Sequence, residues 1–211
     1  WLFNVDLKKF VADTSVYPPA QPLAFEPRLI DAARGHSQWM LTRGIQSHVE
    51  SNPTKSPADR INATGYPWQR YGENIFASSK GVEYGHAGFE VDWGPGPGGM
   101  QDPAGHRENN HSPLFREVGI GVVLGTGPND TGPQSVTVDF ATRKSPVPMV
   151  TGVAYYDVNG NGRYDLGEGI GADIQPDQIE DVVSQRIVDR CSERFHFLDQ
   201  ALGAVMWPEQ S

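Results

Sequence analysis

Apolar positions along the chain recur at two spacings. In "FEPRLIDAARGHSQWMLTRG", Leu29, Ile30, Ala33, Ser37, Met40 and Leu41 fall close to a helical period, which predicts a helix stopped by Gly44. "NVDLKKFVADT" predicts a short helix before the Pro-rich turn "VYPPAQP". "SHVESNPTKSPADRINATGY" reads as a loop and then a short helix ending at Gly65, and "GENIFASS" carries a short apolar patch. "GVEYGHAGFEVDW" predicts a helix with His86, Phe89, Glu90 and Trp93 on neighbouring faces. Beyond a Gly/Pro-rich loop, "EVGIGVVLG" and "SVTVDFATR" have the β-branched content of strands, joined by the turn-rich "TGPNDTGPQ". Helices first and a hairpin last is the order of an α+β or three-layer domain.

After the linker-like "KSPVPMV", the pattern changes. "VTGVAYYDVNGNGRYDLGEGIGADI" reads as strand, loop, strand. The tail that follows has Ile179, Val182, Val183, Ile187, Cys191 and Phe195 at helical spacing, which predicts one or two amphipathic helices. Within this part, residues 157–168 read "DVNGNGRYDLGE" and fit the twelve-residue calcium-loop template without a gap. Asp157, Asn159 and Asn161 take positions 1, 3 and 5, and Gly162 makes the sharp turn. Arg163 offers its carbonyl, Asp165 takes position 9, and Glu168 can bind through both carboxylate oxygens. Calcium takes six to eight oxygens, which alternate side chains of such a loop wrap around one point. The aromatic and β-branched "GVAYYD" before it argues for a loop between strands, in place of the helices of an EF-hand, and a structural role for the ion.

Composition narrows the classes. The chain has 211 residues and a formal net charge of −9, with no basic cluster longer than a dipeptide, which argues against a nucleic-acid partner. The single cysteine, Cys191, excludes an internal disulfide and reads as a small buried hydrophobe. No apolar run reaches the roughly 18 residues of a membrane span. The chain opens on Trp1, as expected of one whose signal peptide has been cleaved, although a shortened sequence would open the same way.

Four segments in one order, "SHVESN…SPADRINATGY", "YGENIFA", "FEVDW…GHREN" and "PLFREVGIGVVLG", together with the preceding helix, resemble a bacterial member of the CAP superfamily. That superfamily takes in cysteine-rich secretory proteins, antigen 5 and pathogenesis-related class 1 proteins, and its domain is also called the SCP domain. The resemblance covers roughly residues 5 to 143. It implies an α-β-α sandwich with a central antiparallel sheet, an open cleft and a secreted protein. The expected organisation is a CAP-like domain over 1–144, a calcium-binding strand-loop-strand over 145–175 and a helical tail over 176–211.

The family's cleft carries two histidines and two acids. Carried over by motif, these are His48 of "SHVE", Glu73 of "GENI" and His106 of "GHREN", with Asp92 as the second acid and Glu90 as a nearby alternative. The family's usual W-x-x-E is here Phe89 followed by Asp92, which shortens the acid's reach. His48 and His106 could ligate Zn²⁺ or a similar divalent ion near 2.0–2.1 Å. Alternatively, the four side chains form a hydrogen-bonded polar cluster in which a carboxylate orients each histidine. His106 itself, in "AGHRENN", is either part of a solvated turn or held for chemistry.

The other histidines carry less. His36 belongs to the long helix, His86 is spaced to pair with Glu90, His111 reads as a turn residue and His196 lies in the tail. No G-x-S-x-G elbow is present, so Ser47 has no serine-hydrolase context. Two functions follow from the resemblance: a secreted domain that binds an extracellular lipid, glycan or peptide, or a metal-dependent hydrolase using His48, Glu73, Asp92 and His106 as catalytic residues.

Overall fold

The structure, a computed structural model, describes residues 3–149 together with 151, 158 and 160. The chain divides into two units, Trp1–Val147 and Pro148–Ser211, and every element below belongs to the first. The calcium-loop residues Asp157, Asn159, Asn161, Arg163, Asp165 and Glu168, and the tail with Cys191 and His196, lie outside the described residues.

Among the described residues, five α-helices and four strands follow one another as α1 (Leu7–Thr14), β1 (Ala24–Phe25), α2 (Pro27–Arg43), α3 (Pro57–Ala63), β2 (Trp68–Ser79), α4 (Val82–Val91), α5 (Gly105–Asn110), β3 (Glu117–Leu124) and β4 (Gln134–Arg143). The strands form one sheet in the order β1-β3-β4-β2. Its three long strands are antiparallel, as expected. The two-residue β1 adds a parallel edge pair with β3, which makes the sheet mixed. Among the described residues β2 pairs with β4 alone and stands at the edge of the sheet.

Strand alternation sends neighbouring side chains to opposite faces and builds three layers. From β4, Ala141 joins Leu29 and Ala32 of α2 and Ile61 of α3. Its alternate residues Val136 and Val138 pack instead with Phe89 of α4, and Phe140 with Phe115. Ile75 and Ala77 of β2 likewise meet Met40 of α2, while Phe76 meets Phe89. The fold is thus α+β, with α2 and α3 on one face of the sheet and α4 and α5 on the other.

Local chemistry sets the element ends. α2 begins with Pro27 in its first turn, where a missing N–H costs nothing, and ends at Gly44 with φ 65°. Its buried face is Leu29, Ala32, Ala33, His36, Ser37, Met40 and Leu41, close to the periodicity of the sequence. α3 opens on a capping box between Ser56 and Asp59. The close seat of α2 on β3 depends on Gly119 and Gly121, since a Cβ on either would collide with the α2 backbone at Leu29–Ile30 or Ala33–Arg34.

Candidate functional site

β2 positions the site. Glu73 and Asn74 of "GENI" are adjacent, so they face opposite sides of this edge strand. Gly72, just before them, lets α5 approach: a Cβ there would sit 2.6 Å from Asn109 Oδ1.

On the α2 side, Glu73 Oε1 lies 2.7 Å from His48 Nδ1. A carboxylate only accepts, so Nδ1–H donates, and in the neutral ring Nε2 keeps its lone pair. The other carboxylate oxygen is held by Arg60 Nη2. Arg60 extends from α3 and also donates to the carbonyl of His48 at 3.0 Å, fixing the loop that carries the imidazole. The His48 side chain is 50% exposed, whereas that of Glu73 is 2% exposed. Burial pushes the Glu73 carboxyl up, but the His48 hydrogen bond and the Arg60 charge outweigh it and hold it below its usual range.

On the opposite face, His106 Nδ1 lies 2.9 Å from Asp92 Oδ1, with the His106 side chain 15% exposed and that of Asp92 fully buried. Asp92 follows the last turn of α4 in a left-handed conformation, φ 54°, which aims its short side chain back at α5. Its second oxygen accepts the backbone N–H of Arg107 at 3.1 Å. Arg107, buried, donates to the carbonyls of Glu90 and Val91 and so binds α5 to the end of α4. Asn74 completes the frame by donating to the carbonyl of His106 at 3.0 Å and accepting from Asn109 Nδ2 at 2.8 Å. "GHREN" is therefore a short helix, and His106 is held on it.

Glu90 serves other partners. It accepts from His111 Nε2 at 2.6 Å and from Asn110 Nδ2 at 3.1 Å, so Asp92 is the acid beside His106. His111 closes α5 in this third histidine–acid pair, and the expected His86–Glu90 pair does not form. The remaining polar groups under His48 were not legible in the motifs. His36, fully buried, donates from Nδ1 to Glu50 Oε1 at 3.0 Å, and burial pushes its imidazole down toward the neutral form. Asp139 of β4 is fully buried directly across the ladder from Glu73. One signal could have exposed it: in a strand covered on both faces, an inward-alternating Asp must be buried.

The four motif residues thus make two histidine–carboxylate pairs, one on each face of β2. Among the described residues, no three His, Cys, Asp or Glu side chains are grouped to hold a metal ion. Both carboxylates orient a histidine at Nδ1, which leaves two Nε2 atoms as donors, one short of the three protein ligands of a catalytic zinc site. No zinc step is derived from this set.

The chain is similar to a solved extracellular protein containing an SCP domain from Bacillus anthracis str. Ames, at 24% identity and a TM-score of 0.45. The match covers 68% of this chain and 39% of that one, so this chain spans about two-fifths of that protein's length. No family model matches the chain, and no curated protein matches it significantly. Among the described residues, no helix is long and apolar enough to cross a membrane.

Proposed function

We propose that the chain is a secreted CAP-like domain that binds an extracellular lipid, glycan or other envelope component at the two histidine–acid pairs. The observation that carries this reading is the half-exposed His48 ring backed by a buried carboxylate that Arg60 anchors. With the rings neutral, the carboxylates at Nδ1 leave each Nε2 as an acceptor, and the ligand groups that suit it are donors, above all hydroxyls. Exposed apolar residues beside the pairs, Val49 next to His48 and Trp93 next to Asp92, suit the apolar face of a sugar or a sterol. The 157–168 loop is proposed to bind calcium and to stabilise its own segment.

The test is titration calorimetry with soluble peptidoglycan fragments, sterol in detergent and lipid vesicles, on the wild type, His48→Ala and His106→Ala. A ligand whose binding weakens at least tenfold in either variant, at unchanged melting temperature, supports the reading. Binding that neither variant weakens, or no binding to any of the three, overturns it. Peptide hydrolysis that stops with a chelator, together with stoichiometric zinc lost in the His48→Ala/His106→Ala double variant, would favour a metal-dependent hydrolase in its place.

A further inference from the structure

Asp139 is the buried group that the histidine–acid pairs do not use. It lies opposite Glu73 in the β2–β4 ladder and opposite Gly119 in the β3–β4 ladder, on the face covered by α2. Neither carboxyl oxygen meets a donor from the described protein groups. Directly opposed residues of an antiparallel pair have Cβ atoms only about 4.5–5.5 Å apart, so the two carboxyls share one small volume. The charged and titratable groups around that volume come from every packed element: Glu73 from β2, Arg60 from α3, His36 from α2, and Glu50 and His48 from the loop between α2 and α3. β3 contributes only Gly119.

The charges there do not balance with Asp139 ionised. Among the described residues, Arg60 is the one permanent cation of the group; Nη2 is held by Glu73 and Nη1 by the His48 and Lys55 carbonyls, while Nε, 3.8 Å from Glu50, has no hydrogen-bond partner. His36 is kept neutral by burial. A second buried carboxylate beside Glu73 would be an unpaired like charge out of water, which a protein avoids by keeping the proton.

We propose that Asp139 is a positioning residue of the His48 site, a buried acid that keeps its proton and donates it to Glu73. Glu73 then receives donors from three elements: the ring N–H of His48, the Arg60 guanidinium and the Asp139 carboxyl. Its two oxygens are fixed in place, and with them the orientation of the half-exposed imidazole. Burial first, then the Glu73 charge and the hydrogen bond to Glu73, push the Asp139 carboxyl well above the usual carboxylate range. An acid in this state destabilises the fold as pH rises, and a group retained at such a cost fits a role in the site. The inference does not depend on which ligand the site takes, so it can fail or hold apart from the binding reading.

The test is carboxyl ¹³C NMR on protein labelled at aspartate Cγ, with Asp139→Asn assigning the signal. The expected signal keeps the shift of a protonated acid to higher pH than the signals of the exposed aspartates do. In Glu73→Gln, which removes the neighbouring charge, it should ionise at lower pH. A signal that titrates with the exposed aspartates overturns the proposal, as does one that stays protonated but ignores Glu73→Gln. If Glu73→Gln does not fold, thermal and urea unfolding of Asp139→Asn against the wild type from pH 4 to 8 decides. The raised acid stabilises fully below its unfolded value near 3.8 and loses that contribution as pH rises toward its folded value. The variant should therefore gain on the wild type by up to about tenfold in the unfolding equilibrium constant per pH unit over that window. Parallel profiles overturn the proposal.

Discussion

Glu73 and Asn74 are consecutive residues of β2 that serve different histidines: the Glu73 carboxylate accepts the ring N–H of His48, and the Asn74 amide donates to the carbonyl of His106. One turn of strand pleat sends the two side chains to opposite faces of an edge strand. The two histidines are thereby coupled through backbone geometry, with no shared side chain between them.

This arrangement separates the roles of the two acids near His106. In Asp92→Asn the oxygen that accepts the His106 Nδ1 proton can be replaced by an amide, and the ring loses its tautomer preference. Glu90→Gln alters only the His111 and Asn110 contacts. Imidazole ¹⁵N shifts at neutral pH should report a changed His106 tautomer in the first variant and an unchanged one in the second. A change in His106 caused by Glu90→Gln would refute the assignment of Asp92.

Gly119→Ala is expected to destabilise the domain by roughly 1–3 kcal/mol or more, because its Cβ would occupy the space of the α2 backbone at Leu29 and Ile30. Urea unfolding measures this directly. Gly35→Ala, with open space at the same position of the side chain, serves as the control and should not lose stability by that mechanism.

Acid lability should begin at His36. Its buried imidazole has a folded pKa depressed below the usual 6.5, so the stability it contributes is complete above 6.5 and is lost as pH falls toward the folded value. The lowered Glu73 carboxyl adds a second loss below about 4.5. In His36→Gln the loss of stability as pH falls just below 6.5 should be smaller than in the wild type, read as the difference between the two profiles because Asp139 acts with the opposite sign in that window, while the lower loss remains. An unchanged slope in that window would show that His36 does not carry it.

Calcium should bind once per chain through the 157–168 loop. Titration calorimetry on the full chain is expected to show one site in the wild type and none in Asp157→Ala/Glu168→Ala, with calcium raising the melting temperature of the wild type alone. A melting temperature that ignores both chelator and calcium would sink the proposal.

Much of the scaffold is written locally. The α2 periodicity with its Gly44 stop, the Ser56 capping signal and the β-branched runs of β3 and β4 all depend on interactions within a few residues, and each appears where the local chemistry puts it. The motif histidines and Glu73 were legible for a different reason: the short strings that carry them resemble a family whose site is already described. β2 was less plain, because "GENIFASS" mixes a glycine, two polar residues and an apolar run, and its strand state comes from pairing with β4.

What tertiary structure decided is which polar groups meet. The family spacing counted from Phe89 pointed to Asp92, with Glu90, also near the end of α4, as the alternative. The left-handed turn at Asp92 and the seat of α5 assign one acid to His106 and the other to His111. Arg60, His36 and Asp139 come from α3, α2 and β4, far apart in the chain, and become neighbours only when the helices close over the sheet. The shifts of His36, Glu73 and Asp139 follow from burial and from the neighbouring groups, and both are properties of the packed volume around Glu73.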